Sequence, residues 1–421
     1  VPEHPSFYVR FYFCARVAVM KMLSIETSAD ETAVSIVNIT GDFPDATYEL
    51  LGNALHSQVK LHEQYGGIFP AMAKREHAKA IVPLLKLALE EAGMYEEGTH
   101  QLSQTETETL FEGLIREPDL AETLLAFLEQ CEKPEIDVIA VTSGPGLEPA
   151  LWVGVNFAKA LAKLWNISVI ATNHMEGHVL ASVYDVEEED QLSKLAFPAL
   201  ALLVSGGHTE LVLMSGWGKY EKVGQTRDDA VGEAFDKAAR MLGLPYPGGP
   251  EIGRLAKVAR AAKLPAFANL PRPMLHSGDL DFSFSGIKTA VRYAIADKVN
   301  ADGREGALGY KELSEKDKEA LARDFEDAVT EVLIAKTLKA AEQYGVQSIV
   351  VGGGVSASPY LRHELNRAVL EQLPDVAVYF PKPGLSTDNA IMIALAGHAR
   401  LSSAANPAAA QFIKADGNRS L

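Results

Sequence analysis

The sharpest chemical pattern in the chain is Asn173-His174-Met175-Glu176-Gly177-His178. If Asn173 caps a helix, imidazoles at i and i+4 fall on one face and can share a cation. Zinc proteases put their general base directly after the first ligand, in H-E-x-x-H. Glu176 stands two places after His174, turned about 100° further round a helix, and this argues against peptide hydrolysis. Two histidines do not complete a site, and no further Cys or His lies close in sequence. Asp388, in Ser386-Thr387-Asp388-Asn389 at a predicted helix start, is a candidate third ligand. The same residue could equally be a cap or a first-turn acid favoured by the helix dipole. Two histidines and one carboxylate would leave open coordination positions, which suits Fe(II) or Zn(II).

Three glycine-rich turns add a second kind of chemistry: Ser205-Gly206-Gly207-His208-Thr209, Pro247-Gly248-Gly249-Pro250 and Gly352-Gly353-Gly354-Val355-Ser356. Each could turn backbone N–H groups toward a phosphate. No G-x-x-x-x-G-K-[ST] occurs, so none is a Walker loop. Acids lie near these turns. Asp30 and Glu31 occupy a predicted hairpin turn, and Asp229, Glu233 and Asp236 share one face if Asp228–Leu242 is a helix.

The elements that must position these residues repeat. Strands are predicted at Met22–Thr27 and Thr32–Val37, then near Tyr48–Leu55, with a helix from Ala71 to about Leu89. Residues 94–133 are polar and acidic and read as an inserted helical hairpin or a loop. The strand Val138–Thr142, a helix from Ala150 and the strand Ser168–Ala171 follow. A second cycle opens at Phe197 with FPALALLV, the first glycine turn and Glu210–Leu213. Predicted helices at Pro250–Ala262, Ser285–Ala296 and Ser314–Tyr344 lead to strands at Ser348–Val351 and Val376–Phe380. Two duplicated α/β lobes are the economical reading.

Composition limits the function. The 421 residues carry 39 basic and 56 acidic side chains, a formal charge of −17. A general nucleic-acid coat is therefore disfavoured, because phosphate neutralisation needs Lys and Arg. One stretch, 252–278, lacks acids and holds Arg254, Lys257, Arg260, Lys263 and Arg272. It reads as a solvated helix face or a local polyanion surface. Two cysteines, Cys14 and Cys131, cannot build a disulfide framework and fit a reducing, cytoplasmic setting. No apolar run reaches the length of a membrane helix. Residues 1–19 are aromatic and basic without a cleavage motif, and read as an over-extended start before Met20 or Met22.

Taken together the motifs resemble the TsaD-like tRNA threonylcarbamoyladenosine transferases. The matching stretches run in order: IETSADETAVSIV, HSQVKLHEQYGGIFPAMAKREH, VTSGPGLEPALWVG, NHMEGH, LLVSGGHTEL, DDAVGEAFDKAARMLGLPYPGGP, DFSFSGIKTAV, GGGVSAS and STDNAIMIA. The resemblance implies an actin-like (ASKHA) α/β fold of two ribonuclease-H-like lobes around a nucleotide cleft. The expected division is an extension at 1–21, a lobe at 22–196 completed by 386–421, and a lobe at 197–385. It implies transfer of threonylcarbamoyl from threonylcarbamoyl-adenylate to the N6 amine of the adenosine 3′ of the anticodon, in tRNAs reading codons that begin with A. By the same resemblance His174, His178 and Asp388 match metal ligands, with Fe(II) expected ahead of Zn(II). Leu203, Val204, Ser205, Gly206, Gly207, Asp236, Gly249 and Ser358 match substrate-binding positions, and Asp30 and Glu31 an acidic pair in the cleft. Expected partners are a catalytically silent TsaB-like paralogue and a small TsaE-like P-loop ATPase, with no membrane.

This chain departs from the family pattern in three places. Ala29 stands where Cys is usual, which excludes a thiol there. Ser358 stands where Asn is usual and shortens that contact. Leu203 stands where archaeal and eukaryotic relatives carry Tyr, so the chain looks bacterial. Three other readings compete: an ATPase on the glycine turns alone, a metalloprotease, and a non-catalytic scaffold. The first leaves the histidines unexplained, the position of Glu176 opposes the second, and the histidine pair itself opposes the third.

Overall fold

A computed structural model describes residues 19–185, 190–301, 313–403 and 412–421. The expected extension at 1–18 lies outside the described residues. The chain begins with a meander of β1 (Val19–Glu26), β2 (Glu31–Thr40) and β3 (Thr47–Ser57). β1 starts three residues ahead of the expected Met22, because β2 runs on to Thr40 and supplies partners for Val19, Met20 and Lys21. The short α1 (Val59–Glu63) and long α2 (Pro70–Glu91) follow. The 94–133 region is a helical hairpin, α3 (Gln104–Gly113) and α4 (Pro118–Leu128), whose Leu110, Leu120, Ala121 and Leu124 are buried in the core.

β4 (Val138–Gly144), α5 (Glu148–Trp165), β5 (Ser168–Asn173) and α6 (His174–Val183) complete the first cycle, trailed by the short β6 (Tyr184–Asp185) and β7 (Gln191–Leu192). The second cycle comprises β8 (Ala199–Val204), β9 (Thr209–Gly216) and β10 (Lys219–Gln225). Four helices come next, α7 (Val231–Leu242), α8 (Gly248–Ala261), α9 (Ser285–Ala301) and α10 (Glu315–Tyr344). The cycle closes with β11 (Ser348–Gly352), α11 (Pro359–Gln372), β12 (Ala377–Tyr379) and α12 (Ala390–Ser403).

The two sheets share a five-stranded core, to which the first adds the short β7 and β6. The first runs β5-β4-β1-β2-β3-β7-β6 and the second β10-β9-β8-β11-β12. In each, three antiparallel strands are joined to two parallel ones, with β1 and β8 equivalent at the junction. This is the ribonuclease-H-like arrangement present twice, the duplicated α/β architecture of the actin-like fold.

Strand periodicity then decides where the site helices sit. Leu23 and Ile25 face the outer helices α2–α5, while Met22 faces inward; Leu200 and Leu202 face α7–α10, while Ala199, Ala201 and Leu203 face inward. The inner faces of both sheets enclose one apolar layer that includes Val179 and Leu180 of α6 and Met392 and Leu395 of α12. Each such side chain contributes about 1.5–3 kcal/mol by burial, so α6 and α12 are fixed between the sheets. Every residue of α6 is buried.

The acid-free stretch turns out to be largely paired. Arg254 bonds Glu251 at 3.0 Å, and Arg272 bonds Glu331 at 2.7 Å. Arg260 bonds Glu326 at 2.6 Å and also Asp327, with its guanidinium 3.4 Å from the Tyr360 ring centroid. Arg260 and Arg272 clamp α8 and its following loop to α10 and α11, while the Arg254 pair stays within α8. Among the described residues no helix is long and apolar enough to cross a membrane.

Candidate metal centre and substrate cleft

Asn173 does cap the site helix. Its Oδ1 accepts from the N–H groups of Met175 (2.9 Å) and Glu176 (3.3 Å) at the start of α6. His174 and His178 then project from one face, ring centroids 4.7 Å apart. Asp388 reaches them from the segment before α12. The cap of that helix is the next residue, Asn389, whose Oδ1 accepts from Met392 N–H at 3.0 Å. Asp388 is thereby left to face the histidines. Close packing of α6 on α12 needs Gly177, since a Cβ there would lie 3.1 Å from Met392 Cγ and 3.2 Å from its carbonyl.

One ligand atom each from His174, His178 and Asp388 lies within 4.8 Å of the others. Asp388 Oδ1 is 3.4 Å from His174 Nε2 and 3.2 Å from His178 Nε2. Both ring nitrogens of His178 are buried: Nδ1 has no partner, and Nε2 faces Asp388 Oδ1 at 3.2 Å without hydrogen-bond geometry, a costly condition unless a ligand satisfies one of them. The donor set and this orphaned ring fit a divalent cation. Burial opposes charge on all three groups. On His174 the nearby Asp388 and Glu26 outweigh it and hold the imidazole well above its usual range. Burial, reinforced by His174, pushes His178 down. On Asp388 burial is overcome by the two histidines, which hold the carboxyl well below the usual range.

Two residues around this centre were not singled out from sequence. Glu26, at the end of β1, is fully buried and receives hydrogen bonds from Ser28 N–H (2.5 Å), Thr142 Oγ (2.6 Å) and His174 Nδ1 (3.1 Å). His77 of α2 is also fully buried. Its Nε2–H donates to the Ala29 carbonyl at 3.0 Å, so Nδ1 must accept from the Thr32 hydroxyl at 2.7 Å. The available signals were an acid inside an apolar strand and a histidine on the inner face of a helix; neither names its partner.

Asp30 ends the β1–β2 turn and Glu31 opens β2. Burial raises Asp30, and the nearby Asp388 adds to it; burial and the charges of Asp30 and Asp388 raise Glu31. The two carboxyls lie side by side, each raising the cost of charge on the pair, while Ser57 Oγ donates to Glu31 at 3.1 Å. Across the cleft, the Tyr246 hydroxyl stands 3.5 Å from Asp30 Oδ2. Asp236 accepts the Gly248 N–H at 2.7 Å, and burial, with Asp30 nearby, pushes its carboxyl up to about 6.

The β8–β9 turn is pinned by Ser205, whose Oγ accepts from Gly207 N–H (3.3 Å) and His208 N–H (3.1 Å). Gly206 and Gly207 are exposed, with open space where a Cβ would point. His208 of this turn lies close enough to His174 and His178 to feel their charge. Leu203 and Val204 point their side chains into the cores on either side of the sheet, so only their backbone is available to a ligand. Gly249 also borders open space. Ser358 caps α11, its Oγ accepting from Leu361 N–H at 3.3 Å. Asp228 and Asp229 precede α7 instead of extending it. Asp228 accepts from Ser283, Phe284 and Ser285 at the start of α9, and Asp229 and Glu233 both pair with Lys237.

A duplicated ribonuclease-H-like fold, with a His/His/Asp cluster and the exposed Gly206–Gly207 turn, places the chain in the actin-like class. The sequence profile of TsaD, described as tRNA N6-adenosine threonylcarbamoyltransferase, matches residues 49–105 and 118–395. Curated tRNA N6-adenosine threonylcarbamoyltransferases are similar along the chain. That of Burkholderia ambifaria is 42% identical over 91% of this chain and 92% of its own length. That of Chromobacterium violaceum is 41% identical over 91% and 93%. This chain belongs to the TsaD family and is a transferase. Among solved structures, full-length HypF in a phosphate- and nucleotide-bound form is similar at a TM-score of 0.47 and 11% identity, over 92% of this chain and 56% of that one.

Proposed function

We propose that this chain transfers the threonylcarbamoyl group of threonylcarbamoyl-adenylate to the N6 amine of the adenosine 3′ of the anticodon, in tRNAs reading codons that begin with A. Membership of the family supports the reaction. The observation that carries the site is the buried His178 ring, with Nδ1 unpartnered and Nε2 facing Asp388 Oδ1 without hydrogen-bond geometry, beside His174. We assign one divalent ion per subunit to these three residues, Fe(II) ahead of Zn(II), since two imidazoles and a carboxylate leave open positions. When bound, such an ion supplies Lewis-acid polarisation or holds the adenylate phosphate.

The protein's own groups do the remaining work. The backbone N–H of Gly206, in the exposed β8–β9 turn pinned by Ser205 and Gly207, steadies the phosphate, and backbone at Leu203 and Val204 lines the same edge. Asp236, Gly249 and Ser358 take the adenosine side. The N6 nitrogen bonds to the carbamoyl carbon, the carbon–oxygen bond to phosphate breaks, and AMP leaves. Asp30 accepts the amine proton, with Glu31 beside it in the cleft. Residues 22–196 with 386–421 form one lobe of this machine and 197–385 the other.

The acidic balance and the paired arginines of α8 support a tRNA surface shared with other subunits, a TsaB-like paralogue and a TsaE-like ATPase, in the cytoplasm. In a reaction of purified chain, those partners, adenylate and unmodified tRNA, Asp30→Ala is expected to keep its metal and lose rate. Unchanged transfer by Asp30→Ala would remove it as the proton acceptor.

A further inference from the structure

Glu26 has no part in the chemistry above, yet it is the carboxylate that holds His174 Nδ1. It is wholly buried, and its two oxygens receive three donors from three separate elements. Oε1 takes the Ser28 N–H of the β1–β2 turn; Oε2 takes the Thr142 hydroxyl of β4 and His174 Nδ1 of α6. The Thr142 and His174 contacts have ordinary hydrogen-bond lengths and the Ser28 contact is shorter, its backbone N–H able only to donate. We infer that Glu26 is a positioning residue that fixes His174 with its proton on Nδ1, leaving Nε2 for the cation, and ties this ligand to the turn leading into Asp30 and Glu31.

Nδ1 of His174 lies 3.1 Å from Glu26 Oε2, which the Thr142 hydroxyl also approaches at 2.6 Å, so Nδ1 is the ring nitrogen taken up by the glutamate. Nε2 is then the atom left facing Asp388 and His178. A histidine whose far nitrogen is held by a carboxylate is both oriented and made a more basic ligand. The same carboxylate holds the Ser28 amide two residues before Asp30, so a shift of α6 would be transmitted to the proton-accepting turn.

This inference rests on the metal-site reading, and its test needs neither tRNA nor adenylate. Co(II) binding to the full chain is followed by its visible absorption and by chelator competition. Glu26→Gln presents an amide NH2 where a donor already points, and is expected to weaken Co(II) binding about 10–100-fold and alter the Co(II) spectrum. Thr142→Val removes one donor but not the His174 contact, and is expected to bind Co(II) within about threefold of wild type, the role of Glu26 being specific to His174. In ¹⁵N-histidine-labelled wild type loaded with Zn(II), the signal missing from His174→Ala should show a protonated Nδ1 and a coordinated Nε2. Equal Co(II) affinity and spectrum in Glu26→Gln, or coordination through Nδ1, would overturn the inference. A wild type that binds no Co(II) overturns it together with the metal site. One that binds Co(II) through Nε2 but makes no modified nucleoside contradicts the proposed reaction alone.

Discussion

Replacing His77 by leucine tests how the acidic turn is held. The imidazole is completely buried and spends both nitrogens on the loop, donating to Ala29 and accepting from Thr32. Leucine fills similar space but leaves a carbonyl and a hydroxyl unpaired, a loss of about 2–4 kcal/mol at neutral pH. The pH dependence is more diagnostic. Burial pushes His77 from 6.5 down to about 4, so between those values the unfolded chain takes up a proton that the folded chain refuses. The contribution is complete above pH 6.5 and is lost as pH falls toward 4, in total about 3 kcal/mol. His77→Leu has no such group, so its stability should fall less steeply over that window. Urea unfolding of both proteins at pH 4.5, 5.5, 6.5 and 7.5 reads the difference, with curves that converge toward acid. Parallel curves, or equal stability at pH 7.5, would refute the reasoning.

Other substitutions probe the cleft from different sides. Gly353 has φ +90°, and a Cβ there would lie 2.5 Å from the Val204 carbonyl. Gly353→Ala should cost about 1–3 kcal/mol in thermal or urea unfolding and weaken adenylate binding through the adjacent Ser205 turn. The Asp236 carboxyl, raised to about 6, is favourable protonated below pH 3.8 and becomes a burden as pH rises through 6. Asp236→Asn should therefore stabilise the protein by about 1–2 kcal/mol at pH 7.5 while weakening adenylate binding in calorimetry. Ser358→Ala removes the cap of α11 and should lower stability by about 1 kcal/mol, whereas Ser358→Asn keeps a capping side chain and should be neutral.

How far the sequence speaks depends on the range of the forces involved. The capping box of α10, Ser314 with Asp317, is local, and that helix runs Glu315–Tyr344 as its pattern predicts. The cap at Asn173 and the i, i+4 histidines are local too. By contrast, the first turn of the expected 228–242 helix is absent, because Asp228 finds better partners at the distant start of α9. β10 reads as polar and irregular, LysTyrGluLysValGlyGln, and is a strand because β9 offers it an edge. Glu26 and His77 acquire meaning only when β1, α2, β4 and α6 converge. The buried inner layer that fixes α6 against α12 joins residues some 200 positions apart, and no periodicity states that pairing.

The central claim is that His174, His178 and Asp388 hold a metal that the transfer reaction requires. The direct measurement pairs elemental analysis of purified wild type and His174→Ala with nucleoside mass spectrometry after reaction with partners, adenylate and unmodified tRNA. The account predicts about one metal per wild-type chain and threonylcarbamoyladenosine in the tRNA, with both lost together in His174→Ala. Full product from a metal-free His174→Ala protein would contradict it.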